Sequence, residues 1–226
     1  MDWRKEYAEK IVSVEEAVRH VQSGNRIVFT HACGEAQALT DELVRQADRF
    51  ENVEIVHMVA MGKAPYCQPG MEKHFRHNAL FVGGSTRKAV EEGRGDYTPC
   101  FFHEIPKLFT DGTLPVDVAF LQLSEPDENG VCSYGVSVDY TQPAAEAAKL
   151  VIAQINKNMP YTYGNGINLK DIDYIVEKDE PLIELQPPKI GETEHKIGEY
   201  VASLIHDGDT LQLGIGAIPD AVLSFL

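Results

Sequence analysis

The chain has 226 residues, of which 43% are hydrophobic, so it is long enough to bury the core of a large domain. It carries 35 acidic and 20 basic residues, and a formal net charge of −15 excludes the basic footprint that a nucleic-acid-binding protein needs. No apolar run approaches the ~18 residues of a membrane-spanning helix, so no membrane contact is expected. The polar start of the chain and four cysteines without paired spacing predict a cytoplasmic protein with free thiols.

The first elements along the chain are a helix and a strand with clear end signals. Ser13 and Glu16 form a capping box, and Gly24 stands where that helical region ends. The apolar segment 26–30 predicts a buried strand, and residues 36–50 predict the next helix. Further strands are predicted over 53–59, 79–82, 116–123 and 150–155, and further helices over 86–92, 104–109 and 144–148. Strands that alternate with helices predict an α/β fold, with a mostly parallel sheet covered by helices on both faces.

Two segments depart from this alternation. An Asn-Gly turn signal at residues 129–130 predicts that residues 131–134 pair back as a hairpin. Residues 158–188 are rich in proline and weakly periodic, with one short strand predicted near 174–176. We therefore expect a domain boundary within this connecting segment.

The opening pattern returns after the connecting segment. When Gly208 is aligned with Gly24, each lies in a polar-Gly-polar turn that precedes an apolar strand, here residues 210–213. The alternative is that any α/β unit produces this pattern. The repeat predicts an N-terminal domain over 1–157, a connecting segment over 158–188, and the start of a second domain over 189–226. The apolar helix that begins near Pro219 has no stop signal before Leu226, which predicts that the second domain is truncated.

A glycine turn lies between the predicted strand 210–213 and the helix that follows it. Gly214-x-Gly216 alone is a weak signal, because Pro219 replaces the third glycine of a dinucleotide fingerprint, and a structural turn is the alternative. The longer string Gly-Ile-Gly-Ala-Ile-Pro-Asp-Ala-Val closely resembles the loop of the acetyl-CoA hydrolase/transferase family, nearest to its 4-hydroxybutyrate and butyryl-CoA:acetate CoA-transferases. Further segments that are similar to that family, in the same order along the chain, are 1–5, 84–87, 101–106, 124–130 and 189–192.

This resemblance implies a CoA-transferase-like fold of two tandem α/β domains, the second truncated here. It also implies a homo-oligomeric enzyme that moves CoA from an acyl-CoA to a carboxylic acid. The family's nucleophilic glutamate lies in a Glu-x-x-x-Asp-Gly context beyond Leu226, so this chain is expected to carry no catalytic nucleophile and to be inactive alone. The loop residues that match the family's CoA-binding loop are Gly214, Ile215, Gly216, Ala217 and Ile218.

Three further residues are candidates for the pocket that holds the carboxylic acid. His31 and Glu35 follow the first predicted strand, at the edge where open α/β sheets bind ligands, and the alternative is a polar turn. Gln212 precedes the glycine loop, as a pocket donor or as an ordinary sheet residue. His74 and His77 are spaced for a metal on one helix face, but no acidic or cysteine partner is spaced nearby, so no metal is expected.

Other polar segments have two interpretations each. Residues 85–87 are predicted to hold an anion at a helix start or simply to cap that helix, with Ser85 as the cap. Glu125 and Asp127 are predicted hairpin residues, although the matching family segment lies near its site. Two functional alternatives also stay open: an acetyl-CoA hydrolase of the same family, and a non-catalytic CoA-binding module.

Overall fold

The computed structural model describes residues 2–226. The chain folds into two compact units, and the border between them falls between Ile183 and Glu184. Most of the predicted connecting segment, 158–188, therefore packs with the first unit, to which it contributes two strands. The division into domains with borders at 157 and 188 stays a prediction.

The first unit contains nine strands and six α-helices among its described residues. The strands are β1 (Arg26–Phe29), β2 (Val53–His57), β3 (Phe75–Ala79), β4 (Gly95–Tyr97), β5 (Val118–Leu123), β6 (Val131–Ser133), β7 (Leu150–Ile155), β8 (Gly166–Asn168) and β9 (Tyr174–Glu177). The helices are α1 (Trp3–Glu6), α2 (Val14–Arg19), α3 (Gln37–Arg45), α4 (Arg87–Glu91), α5 (Ile105–Thr110) and α6 (Thr141–Ala147).

Seven of the strands form one parallel sheet in the order β4-β3-β2-β1-β5-β7-β9. The chain builds outward from β1 to β4 on one side and then outward from β5 to β9 on the other. The strand order therefore reverses between β1 and β5. In open α/β sheets the crevice at the carboxyl ends of such a pair is the usual ligand site.

Alternate residues of the central strands face different cores, as the period of two in a strand requires. Ile27 and Phe29 pack with the buried residues of α2 and α3, whereas Val28 packs with Ile105 of α5 and with residues of α6. Helices thus cover both faces of the sheet. The predicted α/β fold with a mostly parallel sheet is confirmed.

The third strand begins a few residues before its predicted position. The apolar run 79–82 suggested the strand, but β3 spans Phe75–Ala79 and Phe81 is half exposed. The strand holds two buried polar side chains whose partners lie on β2: His77 Nδ1 lies 3.2 Å from the Ile55 carbonyl oxygen, and Asn78 donates to Glu54 at 2.8 Å. These hydrogen bonds reduce the cost of burying the two side chains, although His77 Nε2 has no partner among residues 2–226, and hydrophobicity alone does not reveal them.

The predicted hairpin is correct in its turn and wrong in its strand partner. Backbone hydrogen bonds from Asp127 to Val131 (2.9 Å) and from Ser124 to Ser133 (3.0 Å) bring the chain back as expected. However, β6 pairs with the unpredicted strand β8 in a separate antiparallel ribbon. Residues 131–133 therefore do not extend the main sheet.

The second unit contains two helices, α7 (Glu192–Ala202) and α8 (Ala217–Leu223). The predicted strand over 210–213 was wrong: these residues carry no strand, because no other strand in the unit offers a ladder partner. Across residues 2–226 no helix has both the length and the apolar character needed to cross a bilayer.

The turn between helix and apolar segment does repeat between the two units. Gly24 and Gly208 both have positive φ, +78° and +91°. In the first turn the Gln22 N–H donates to the Asn25 side chain at 2.9 Å, and in the second the His206 N–H donates to Asp209 at 2.8 Å. The Asn25 N–H donates back to the Gln22 carbonyl, and the Asp209 N–H donates back to the His206 carbonyl; both of these hydrogen bonds are 3.1 Å long. The repeated pattern in the sequence thus corresponds to a repeated local structure.

Candidate functional site

The loop that follows β1 lies at the carboxyl ends of β1 and β5, the edge where open α/β sheets usually bind ligands. Thr30 ties this loop to β5: its hydroxyl donates to the Phe120 carbonyl at 2.8 Å and accepts from the Gln122 N–H at 3.2 Å. The next residue, His31, therefore leaves the sheet at the point where the strand order reverses. This is the position that the sequence predicted for a ligand-binding side chain.

His31 forms a close pair with Asp139, which precedes α6. The two side chains approach to 2.6 Å between His31 Nδ1 and Asp139 Oδ2, and only 14% of the His31 side chain is exposed. The other carboxylate oxygen of Asp139 accepts the Tyr140 N–H at 2.6 Å. His31 Nε2 is buried and has no hydrogen-bond partner among residues 2–226. Sequence reasoning found His31 but missed Asp139, which no motif marks.

Glu35 lies on the same loop but is turned into the protein. Its exposed fraction is 2%, and burial, which disfavours the charged carboxylate, raises its pKa to about 7. A Cβ placed on Gly62 would come within 2.5 Å of Glu35 Oε2, so only glycine lets the loop after β2 approach the carboxyl group this closely. Glu35 therefore links the loops that follow β1 and β2.

A buried network of side-chain amides is hydrogen-bonded to the loop after β1. Gln122 on β5 donates to the Glu35 carbonyl at 2.7 Å and accepts from Asn156 at 2.6 Å. Glu180 extends the network, since its side chain accepts from Gln154 at 2.7 Å and from the Ala38 N–H at the start of α3 at 3.0 Å. These residues were not predicted. The available signal was Gln122 itself, a polar residue inside the apolar strand Val118–Leu123.

Two buried histidines beside β2 and β3 have backbone partners instead of a shared ligand. His74 and His77 were predicted on one helix face, which was wrong, because His74 precedes β3 and His77 lies within it. His74 Nδ1 lies 2.8 Å from the Phe50 carbonyl oxygen. Burial lowers the pKa of His77 to about 4, so its imidazole is neutral at neutral pH. Among residues 2–226 no group of three or more His, Cys, Asp or Glu side chains is arranged to hold a metal ion.

The remaining polar segments have structural partners. Ser85 does not cap α4 as predicted. Its hydroxyl instead donates to the Ala60 carbonyl at 2.5 Å. Glu125 forms an ion pair with Arg4 at 3.2 Å. Asp127 accepts the N–H groups of the turn that precedes β6, which lowers its pKa, so its role as a turn residue is confirmed.

The glycine loop lies in the second unit and is described within that unit alone. Gly216 precedes α8 with φ +134° and ψ 177°, a conformation that is essentially restricted to glycine. Ile215 projects outward with 87% of its surface exposed, and Gln212 is exposed, with its amide donating to the adjacent Leu213 carbonyl at 3.2 Å. Beside the loop lies an open, mostly apolar groove of about 340 Å³. Its lining includes residues of α7, of the loop and of α8.

A comparison with protein families decides the identity of the chain at the family level. Residues 1–186 match the model of the acetyl-CoA hydrolase/transferase N-terminal domain. The chain belongs to the acetyl-CoA hydrolase/transferase family. The resemblance seen in the sequence is thereby confirmed.

Two curated relatives show how similar this chain is to proteins of stated activity. It is 62% identical to the 4-hydroxybutyrate coenzyme A transferase of Clostridium kluyveri, over 100% of this chain and 53% of that protein. It is 38% identical to the succinyl-CoA:acetate/propanoyl-CoA:succinate CoA transferase of Fasciola hepatica, over 94% of this chain and 45% of that protein. The chain thus spans about half the length of these relatives.

Solved structures agree with the fold. The 4-hydroxybutyrate CoA-transferase of Porphyromonas gingivalis is 40% identical, with a TM-score of 0.84 over 99% of this chain and 53% of that one. RipA from Yersinia pestis is 27% identical, with a TM-score of 0.92 over 99% of this chain and 55% of that one. The CoA-transferase-like fold that the resemblance implied is confirmed.

Proposed function

We propose that the protein that contains this chain is an acyl-CoA:carboxylate CoA-transferase of the 4-hydroxybutyrate or butyrate/acetate type. The observation that carries this proposal is the 62% identity to a 4-hydroxybutyrate coenzyme A transferase along the entire chain. The substrates are then a small-molecule acyl-CoA and a carboxylic acid. The acidic charge of the chain agrees with this assignment, since nucleic acid is not a partner of such an enzyme.

The glycine loop is the proposed contact for CoA, through Gly214, Ile215, Gly216, Ala217 and Ile218. Its two glycines let a ligand approach the backbone closely, and the apolar side chains offer contact to the pantetheine arm. Backbone N–H groups aimed at the thioester oxygen would stabilise the negative charge that develops there during attack. The exposed groove beside the loop supplies further apolar surface.

The proposed reaction passes through covalent catalysis by a carboxylate. A glutamate oxygen attacks the thioester carbonyl and displaces the CoA thiolate, which then attacks the glutamyl carbonyl and releases the first acid. The resulting glutamyl-CoA thioester passes CoA to the second acid by the reverse steps. The nucleophilic glutamate is expected beyond Leu226, so residues 1–226 alone are expected to show no turnover.

His31 and Glu35 of the loop after β1 are proposed to line the acid pocket, and Gln212, in the second unit, is proposed separately as a donor to the substrate. His31 lies at the switch point of the sheet and carries an unpartnered nitrogen. Glu35 holds that loop against the loop after β2, and Gln212 is an exposed amide beside the glycines. The proposal for His31 and Glu35 rests on their place at the sheet edge, and the proposal for Gln212 rests on its place in the sequence alone.

A cytoplasmic homo-oligomer is the proposed physical state of the whole protein. Its free cysteines support a reducing compartment, because Cys33, Cys67, Cys100 and Cys132 form no disulfide with one another. The oligomer rests on the resemblance to the family alone.

Hydrolysis of acetyl-CoA is the second candidate, because the matching family model includes hydrolases. The two activities are separated by incubating the product of the complete reading frame with butyryl-CoA, with and without 4-hydroxybutyrate or acetate. We expect the new acyl-CoA to form in proportion to the added acid, with little free CoA. Release of free CoA at the same rate with or without acid would contradict the transferase and support the hydrolase.

A further inference from the structure

The imidazole of His31 has one nitrogen with a strong partner and one with none. Nδ1 is bonded to Asp139 at 2.6 Å, whereas Nε2 is buried without a partner among the described residues. A buried polar atom without a hydrogen bond is unfavourable, so such atoms in folded proteins usually have a ligand or water to bind. The unsatisfied nitrogen belongs to the loop at the switch point of the sheet, the edge at which the acid is proposed to bind.

Asp139 determines which nitrogen of the His31 ring carries the proton. Both of its oxygens accept N–H groups, one from His31 and one from the Tyr140 backbone at 2.6 Å. An ionised carboxylate is an acceptor only, so His31 must donate from Nδ1. In the neutral ring Nε2 then carries the lone pair and acts as a hydrogen-bond acceptor.

The direction of that lone pair is fixed by aromatic packing on the ring. Tyr140 lies 5.4 Å from the His31 ring centroid, and Phe102 lies 5.7 Å away in an edge contact. Tyr140 is itself anchored, since its hydroxyl donates to the Phe29 carbonyl at 2.9 Å and accepts from the Met58 N–H at 3.3 Å. The ring therefore cannot turn to satisfy Nε2 elsewhere without breaking these contacts.

We infer that His31, held by Asp139, is the specificity-determining residue that accepts a hydrogen bond from the hydroxyl group of a short hydroxy acid. This inference rests on the proposed CoA-transferase function and adds the feature of the substrate that is recognised. A lone pair selects a donor: a hydroxyl group supplies one, whereas a bare carboxylate or an alkyl chain does not. Asp139 is a positioning residue, because it acts only through the tautomer and orientation of His31.

The test compares two acids that differ only in the hydroxyl, 4-hydroxybutyrate and butyrate, as acceptors with acetyl-CoA at pH 8. The enzyme is the product of the complete reading frame, and the measured quantity is the ratio of the two kcat/KM values. In Asp139→Asn the amide donates to Nδ1, so the proton moves to Nε2 and the acceptor is lost. We expect the ratio of 4-hydroxybutyrate to butyrate to fall at least ~10-fold, with butyrate transfer largely kept.

Two further variants control for folding. His31→Phe keeps an aromatic ring in the same packing and removes both nitrogens, so it should lower the ratio to a similar extent even if Asp139→Asn folds poorly. Asp48→Asn makes the same chemical change on a fully exposed side chain and should leave the ratio unchanged. Thermal unfolding of each variant identifies any loss of structure.

The outcomes separate this inference from the proposed function. If kcat/KM for 4-hydroxybutyrate and for butyrate stays unchanged, or falls equally for both acids, in both His31→Phe and Asp139→Asn, the ratio of the two values does not change. That result would overturn hydroxyl recognition while leaving the transferase intact. Loss of acyl-CoA hydrolysis without a change in the ratio would also overturn it, because the pair would then activate water. Absence of transfer to either acid by the unmodified enzyme would instead refute the transferase.

Discussion

Glu35 is an ionisable side chain held almost entirely out of water, and it makes stability depend on pH. Its pKa rises from the ordinary 4.5 to about 7 because burial disfavours the carboxylate. Between these pH values the folded protein keeps the proton and the unfolded chain releases it. The stability that the protonated form contributes is therefore complete below about pH 4.5 and is lost as the pH rises through 7.

Replacing Glu35 with glutamine should remove this dependence, since glutamine is neutral at every pH. The free energy of unfolding of Glu35→Gln minus that of the wild type should increase by about 3 kcal/mol from pH 4.5 to pH 8. Urea unfolding at both pH values measures the difference. The same substitution at the exposed Glu91 is the control and should show no comparable change. Equal differences at the two pH values for Glu35→Gln would refute a buried carboxyl group.

At the scale of elements, the loop that precedes α8 depends on a backbone conformation that only glycine adopts easily. Gly216 has φ +134°, and no atom would lie within 4 Å of an added Cβ, so an alanine there is strained by its backbone and not by a clash. Gly208 offers a matched control in the same unit, because it has φ +91° and equally open surroundings. The two positions differ in that Gly216 belongs to the proposed CoA-binding loop.

Gly216→Ala and Gly208→Ala should therefore lose similar stability, about 1–2 kcal/mol each, and differ in their kinetics. We expect the KM for acyl-CoA to rise at least ~10-fold in Gly216→Ala and to stay near the wild-type value in Gly208→Ala. Steady-state assays of the complete protein, with thermal unfolding alongside, measure both effects. An equal rise in KM in the two variants, or none in Gly216→Ala, would remove the loop from CoA binding.

The elements that the sequence predicted correctly are those whose signals are local. The Ser13 cap is present, with its hydroxyl accepting the Glu16 N–H at 3.1 Å, and β5 falls within its predicted apolar run. The position of β3 was predicted wrongly because its buried His77 and Asn78 each have a hydrogen-bond partner on β2, a neighbour that sequence spacing does not identify. The partner of β6 was missed for the same reason, since β8 lies more than thirty residues away in a weakly periodic segment.

The candidate site was likewise predictable only where its signals are local in the sequence. The place of His31 after a strand predicted that it lies at the switch point of the sheet, and the resemblance to a family predicted a glycine turn before α8; their roles as binding residues stay predictions. Asp139 and the Gln122–Asn156 network were missed, because tertiary packing brings them to the loop from distant parts of the chain. Sequence position indicates which edge of the sheet binds a ligand, whereas the groups that orient the binding residues are set by the fold.

At the scale of the whole molecule, the chain shows one complete parallel sheet and a second unit that opens with the same helix and turn. Relatives that are about twice as long carry the stated CoA-transferase activities. Under the proposed function, the loop of residues 214–218 binds CoA in the complete protein, and a glutamate carboxylate expected beyond Leu226 is the nucleophile. A transfer through a protein carboxylate moves oxygen atoms from one acid to the other.

Oxygen-18 in the carboxylate of the acceptor acid tests that transfer most directly. When the complete protein turns over butyryl-CoA with labelled acetate, one acetate oxygen should pass to the protein carboxylate and then, in the next turnover, to the butyrate that is released. Mass spectrometry should detect this label in the butyrate, and the amount of labelled butyrate should rise as acetyl-CoA accumulates. Butyrate that acquires oxygen only from solvent water, while acetate is left unchanged, would contradict the account and indicate hydrolysis.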